Sequence, residues 1–152
     1  MAVSGFVLTC LVACSSETSV NHPSQASVTV NGNTSAKQSV SCNQQANNLP
    51  VDSKDNKSSG QSMQWYWTIL IGDQNVAGAK VSVDGSGEQL VTNSVRIHNL
   101  GGFTGMYSKD GGGEAQISFV ADTFTITGKA LGYNTSEPNE PTQADFKIVA
   151  TC

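Results

Sequence analysis

Gln64-Trp65-Tyr66-Trp67-Thr68-Ile69-Leu70-Ile71 is the stretch on which the fold turns. At the two-residue period of a β-strand, Trp65, Trp67, Ile69 and Ile71 share one face, while Tyr66 and Leu70 leave the other partly apolar. A strand with apolar residues on both faces belongs inside a sheet, and Gly72 is expected to end it. Shorter patterns of the same kind lie on either side. Val28 and Val30 alternate with Thr29, Asn31-Gly32 is a tight-turn signal, and Gln38 to Cys42 is expected to continue that hairpin. Downstream come 79–83, a turn at Asp84-Gly85-Ser86-Gly87, then 89–98 with Val91, Val95 and Ile97 as its apolar positions. Further strands are predicted at 103–107, 115–120, 124–130 and 145–151, with a turn at Ala121-Asp122 and a loop through Pro138 and Pro141. Roughly eight short strands with turns every 8–12 residues predict an all-β chain, built as an antiparallel β-sandwich or a partly open barrel. Residues 43–62 lose periodicity and are predicted to form a long surface loop.

Composition agrees. The 152 residues contain 19 Ser, 13 Thr, 12 Asn and 15 Gly, and only 13% are charged, against roughly a quarter in an average soluble protein. Helix formers are scarce, and β-branched residues supply much of the apolar content. The formal net charge of −4 excludes a nucleic-acid surface and a polybasic membrane patch as starting assumptions.

Residues 1–13, Met-Ala-Val-Ser-Gly-Phe-Val-Leu-Thr-Cys-Leu-Val-Ala, are apolar or small and stop at Cys14 before Ser15-Ser16-Glu17-Thr18-Ser19. They are too short for a bilayer span, which needs about 20 residues, and suit the apolar region of a secretory signal. Leu11-Val12-Ala13-Cys14 has the pattern of a bacterial lipobox. There the thiol takes diacylglycerol in a thioether, and cleavage makes the cysteine the mature N-terminus. Two or more acyl chains anchor firmly where one is marginal. The signal lacks an opening Lys or Arg, since the first basic residue is Lys37, so an upstream start is expected. The division predicted is a signal peptide at 1–13, an acylated polar tether at 14–26, and a single β-sandwich domain at 27–152. The protein is expected to be exported and lipid-anchored at Cys14, to the outer face of the cell membrane or within the cell envelope.

With Cys10 lost in the signal and Cys14 acylated, Cys42 and Cys152 remain as an even pair in an oxidising compartment, and are predicted to form a disulfide. Two free buried thiols are the other reading. No CxxC or His pair accompanies them, so zinc is not expected.

From Val28 to Cys152 the chain resembles the LpqH-like lipoproteins of mycobacteria, the nineteen-kilodalton lipoprotein antigen family, LppE type included. The resemblance rests on the lipobox, on Val28-Thr29-Val30-Asn31-Gly32 with Cys42 beyond it, on Phe124-Thr125-Ile126-Thr127-Gly128-Lys129-Ala130-Leu131-Gly132, and on the closing Phe146-Lys147-Ile148-Val149-Ala150-Thr151-Cys152. It implies a cell-envelope lipoprotein and surface antigen. It further implies recognition by host pattern-recognition receptors through the acyl chains, often a glycosylated tether, and no enzymatic activity. The Trp65-Tyr66-Trp67 cluster and the short tether depart from the family pattern and point to a branch nearer LppE.

The residues themselves offer little catalytic chemistry. The histidines are His22 in the tether and His98 at a strand position, and neither a GxSxG elbow nor an HExxH helix is present. Asp84-Gly-Ser-Gly-Glu88 and Asp110-Gly-Gly-Gly-Glu114 could gather carboxylates round calcium, but hairpin turns account equally well for both. No metal and no cofactor is expected. Trp65, Tyr66 and Trp67 are the candidate ligand-contacting residues, either as core with one outward ring or as an apolar wall for a lipid or glycolipid. A non-catalytic display or interaction module is therefore the first expectation, and a carrier of a hydrophobic envelope molecule the second.

Overall fold

The expected strand at 64–71 is the middle of β4 (Gln61–Asp73) in a computed structural model that describes residues 24–50, 61–86, 89–111 and 114–152. The signal segment, Cys14, His22, most of the tether and residues 51–60 lie outside the described residues. Around β4 stand β1 (Gln25–Val30), β2 (Asn33–Thr34), β3 (Gln38–Pro50), β5 (Ala77–Ser86), β6 (Gln89–Leu100), β7 (Phe103–Ser108), β8 (Ala115–Val120), β9 (Thr123–Asn134) and β10 (Glu137–Thr151), with a 3-10 turn at Lys109–Gly111 after β7.

All pairings are antiparallel, in the order β10-β1-β3-β4-β5-β6-β7-β9, and β9 pairs back onto β10. The sheet is thus ring-like: the sequence of pairings returns to the strand it started from. β8 continues the edge of β9 beyond β7, pairing Ala115 with Gly128 through Val120 with Thr123. Two turns have the positive φ angles that type I′ hairpins require, at Asn31-Gly32 (47° and 81°) and Ala121-Asp122 (47° and 59°). Both were legible as turns.

Alternation then fills the ring. Val28, Val30, Ile69, Ile71, Val81, Val83, Val95, Ile97, Phe124, Ile126 and Ile148 are fully or almost fully buried, with Phe103 and Phe146 beside them. Large rings sit over small neighbours: Ala26 pairs with Ala150, and Ala150 with Phe124. Burial of one such aliphatic or aromatic side chain contributes about 1.5–3 kcal/mol.

Five expectations need correction. Asp84, Gly85 and Ser86 are not a turn but the end of β5, paired with Val91, Leu90 and Gln89, and Gly87 lies outside the described residues. Residues 43–50 and 61–62 are not loop but the paired arms of β3 and β4, from Asn43 opposite Thr68 to Pro50 opposite Gln61. Asn43 to Asn47 are all exposed, so burial imposes no alternation there and the backbone ladder alone holds the arm. Gln38–Cys42 does not continue the β1 hairpin. β3 pairs with β1 only at Gln38 and Ser39 and crosses to β4. The loop through Pro138 and Pro141 belongs to β10, which tolerates the prolines at a register shift between Glu137 and Pro141. Finally, Val91 is 37% exposed, whereas Thr92 is buried. A bulge causes this, because Ser82 faces Ser94 but Val83 faces Thr92, so Asn93 is the extra residue and inside and outside exchange along β6.

Candidate functional site

The aromatic cluster on β4 divides between two faces. Trp67 turns inward, where its ring lies 5.2 Å from Phe124, nearly edge-on, and 6.0 Å from Phe119; the two phenylalanine rings are 4.3 Å apart. Such pairs contribute about 0.5–1.5 kcal/mol each beyond the area they bury. Trp67 is thus committed to the packing between β4, β8 and β9. Trp65, also on the inward side, is half-buried opposite Gly85, and Tyr66 is half-buried on the outer face between Gln45 and Asp84.

Cys42 of β3 and Cys152 at the end of β10 form a disulfide with Cα atoms 5.8 Å apart and 110 positions between them in sequence. The Cys152 N–H donates to the Asp122 carbonyl at 2.8 Å, which fixes the last residue against the β8–β9 turn.

Three concavities bordered by described residues lie on the outside of the ring. One of about 470 Å³ is bordered by Glu114, Gln116, Thr127, Lys129, Gln143 and Asp145. Gly128 in its lining shares the inward parity of Ile126 and Ala130, and a Cβ there would come within 2.7 Å of the Glu114 carbonyl oxygen and 2.8 Å of the Phe146 ring. Lys129 and Asp145 pair across it. A second, of about 410 Å³, is bordered by Arg96, His98, Thr104, Met106, Leu131 and Tyr133. A third, of about 250 Å³, shares Met106 and Leu131 with the second and Lys129 and Gln143 with the first, so the three adjoin along β9. Spacing in the sequence could not reveal this wall, because its residues meet only through the order β10-β9-β7-β6.

The other candidate residues stay apart. His98 is half-buried on β6 at the edge of the 410 Å³ concavity, which Thr104 and Tyr133 also border. Asp84 is in β5, Asp110 in the exposed 3-10 turn, and no group of three or more His, Cys, Asp or Glu side chains converges among the described residues. Within the described residues no helix is long and apolar enough to cross a membrane. Among the described residues, Asp84 Oδ1 and Thr92 Oγ1 are buried oxygens without a hydrogen-bond partner; they lie on β5 and β6 beside the bulge.

A sequence model of the family described as Mycobacterium 19 kDa lipoprotein antigen matches residues 19–152. A lipoprotein of Mycobacterium indicus pranii is 43% identical over 97% of this chain and 94% of its own length. One from Mycobacterium avium subsp. hominissuis is 41% identical over 95% of this chain and 87% of its own. The lipoprotein LppE of Mycobacterium tuberculosis is 26% identical over 84% of this chain and 77% of its own.

Proposed function

The chain belongs to the Mycobacterium 19 kDa lipoprotein antigen family, and from that premise we propose that it is an envelope lipoprotein. In this reading residues 1–13 are removed on export, Cys14 carries the acyl chains, and the β ring is a non-catalytic module held at the outer face of the membrane. Its surface is what partners and host receptors meet, with the acyl chains as the receptor ligand.

The observation that carries the module reading is the filled interior. Val, Ile and Phe side chains from β1, β4, β5, β6, β9 and β10 occupy the space inside the ring, and the larger concavities open on the outside, one beside Lys129, Gln143 and Asp145, the other beside Arg96 and His98 together with Met106 and Leu131. A carrier that enclosed a hydrophobic molecule would need an apolar cavity of roughly 300 Å³ or more. Of the aromatic cluster, Trp65 and Tyr66 keep surface that a ligand could touch, while Trp67 is occupied by Phe119 and Phe124.

Intact-mass spectrometry of the protein from an actinobacterial host tests the anchor. The expected mass is that of the chain from Cys14 with diacylglycerol and a further acyl group, and Cys14→Ser should lose both additions and leave the membrane fraction. An unmodified Cys14 in membrane-extracted protein would overturn the reading. Native mass spectrometry separates module from carrier: a stoichiometric adduct extractable into organic solvent would favour the carrier.

A further inference from the structure

We propose that the outer wall of the ring binds the headgroup of an anionic, phosphate-bearing membrane lipid across the adjacent cations Lys80 and Arg96, with Met106, Leu131 and Leu70 as its apolar flanks. The placement follows from register. Leu131 of β9 faces Met106 of β7, Met106 faces Arg96 of β6, Arg96 faces Lys80 of β5, and Lys80 faces Leu70 of β4. One row running across five strands thus reads apolar, apolar, cation, cation, apolar, and all five side chains are exposed. At the usual strand spacing of about 4.8 Å the row is about 19 Å long.

Two features of this row are unfavourable for the isolated molecule. Like charges directly opposite each other on a sheet repel, and among the described residues the ion pair is Lys129 with Asp145, so neither Lys80 nor Arg96 is paired with a described carboxylate. Exposed apolar side chains also stand together, Leu131 at 63% and Met106 at 48% exposure, as the shared rim of two concavities. An anion seated between the cations relieves the repulsion, and its hydrocarbon portion covers Met106 and Leu131 in the adjoining 410 Å³ concavity. Charge complementarity fixes the sign of the ligand, and the apolar flanks fix its amphiphilic character.

The choice of a membrane lipid rests on the anchoring reading above. Only ten residues separate Cys14 from Gln25 of β1, so an acylated Cys14 would hold the ring within about 35 Å of the headgroups. At that distance weak sites fill, because the tether fixes a high local lipid concentration.

The test uses the protein with Cys14→Ser, which has no acyl chain, titrated in NMR at low salt with dihexanoyl phosphatidylglycerol or dihexanoyl phosphatidylcholine below their micelle concentrations. Expected are shift changes centred on Lys80, Arg96, Met106 and Leu131, and binding at least tenfold tighter for the anionic lipid. Lys80→Gln and Arg96→Gln should each weaken the anionic titration about fivefold, and Leu131→Ser should weaken both titrations. These sites are exposed, so the unperturbed remainder of each spectrum reports the intact fold. Equal affinity for the two lipids, shifts centred elsewhere, or no effect of the charge variants would overturn the proposal. So would binding of an acidic, leucine-containing peptide at the row without binding of the anionic lipid, which would assign the wall to a protein partner. Failure of this titration is distinguishable from failure of the anchoring reading, which the intact mass decides.

Discussion

Gly132→Ala is the sharpest test of how β7 closes the ring. Gly132 stands opposite Gly105 where β9 pairs with β7. A Cβ on Gly132 would lie 2.0 Å from the Thr104 carbonyl oxygen and 2.5 Å from the Gly105 Cα, both backbone atoms of β7. Ordinary carbon–oxygen contact needs more than about 3 Å, so β7 would have to retreat by about 1 Å. That stretches the hydrogen bonds of a ladder only four residue pairs long, Phe103 with Asn134 through Met106 with Leu131. Each backbone bond contributes about 0.5–1.5 kcal/mol, and overpacking adds about 1–3 kcal/mol. The expected loss is therefore about 3–5 kcal/mol, a large share of the 5–15 kcal/mol typical of a domain. Urea unfolding of the oxidised protein, read as a change in midpoint at constant slope, measures it. Gly32→Ala is the control. Gly32 has φ +81° and nothing within 4 Å of its would-be Cβ, so it should lose only about 1 kcal/mol through backbone strain. A loss below about 1 kcal/mol for Gly132→Ala, or parity with the control, would refute the steric reasoning.

Replacing Cys42 and Cys152 together by Ser should lower unfolding stability by up to about 4.7 kcal/mol, the chain-entropy value for a closed loop of roughly 100 residues; denaturant curves with and without reductant check it. Thr92→Val should leave stability unchanged or raise it by about 1 kcal/mol, because Thr92 Oγ1 is buried without a partner; a clear loss in the same assay would mean that the hydroxyl has an unseen partner. Trp67→Ala should cost about 3–5 kcal/mol through the lost contacts to Phe119 and Phe124, read as a fall in melting temperature. Lys129→Ala should change stability by less than about 1 kcal/mol, since both partners of its ion pair are more than half exposed, at 55% and 71%.

Where one face of a strand is buried and the other wet, alternation located the elements well. Residues 115–120 and 103–107, and the turns at Asn31-Gly32 and Ala121-Asp122, stand as the sequence predicts. Patterning failed where burial did not set the residue types, in the exposed run 43–47 of the β3 arm, and where a bulge changed parity, at Val91 and Thr92. Cysteine arithmetic found the disulfide because few alternatives remained once Cys10 and Cys14 were placed. The outer row was illegible for a different reason. Lys80, Arg96 and Leu131 become neighbours only through a pairing order that puts β9 beside β7, which no local pattern encodes.

The brevity of β1 has a mechanical meaning. Its six residues share five register pairs with β10 but only two with β3, and it lies before the span that Cys42–Cys152 closes. Force transmitted through the residues ahead of Gln25 loads this strand first. Pulled from its leading end, an antiparallel strand peels one pair at a time, and Ala26, Val28 and Val30 would leave the core in succession while the cross-linked remainder kept its shape. Under a load applied ahead of Gln25, β1 would therefore be the element that yields, outside the span that the disulfide holds together.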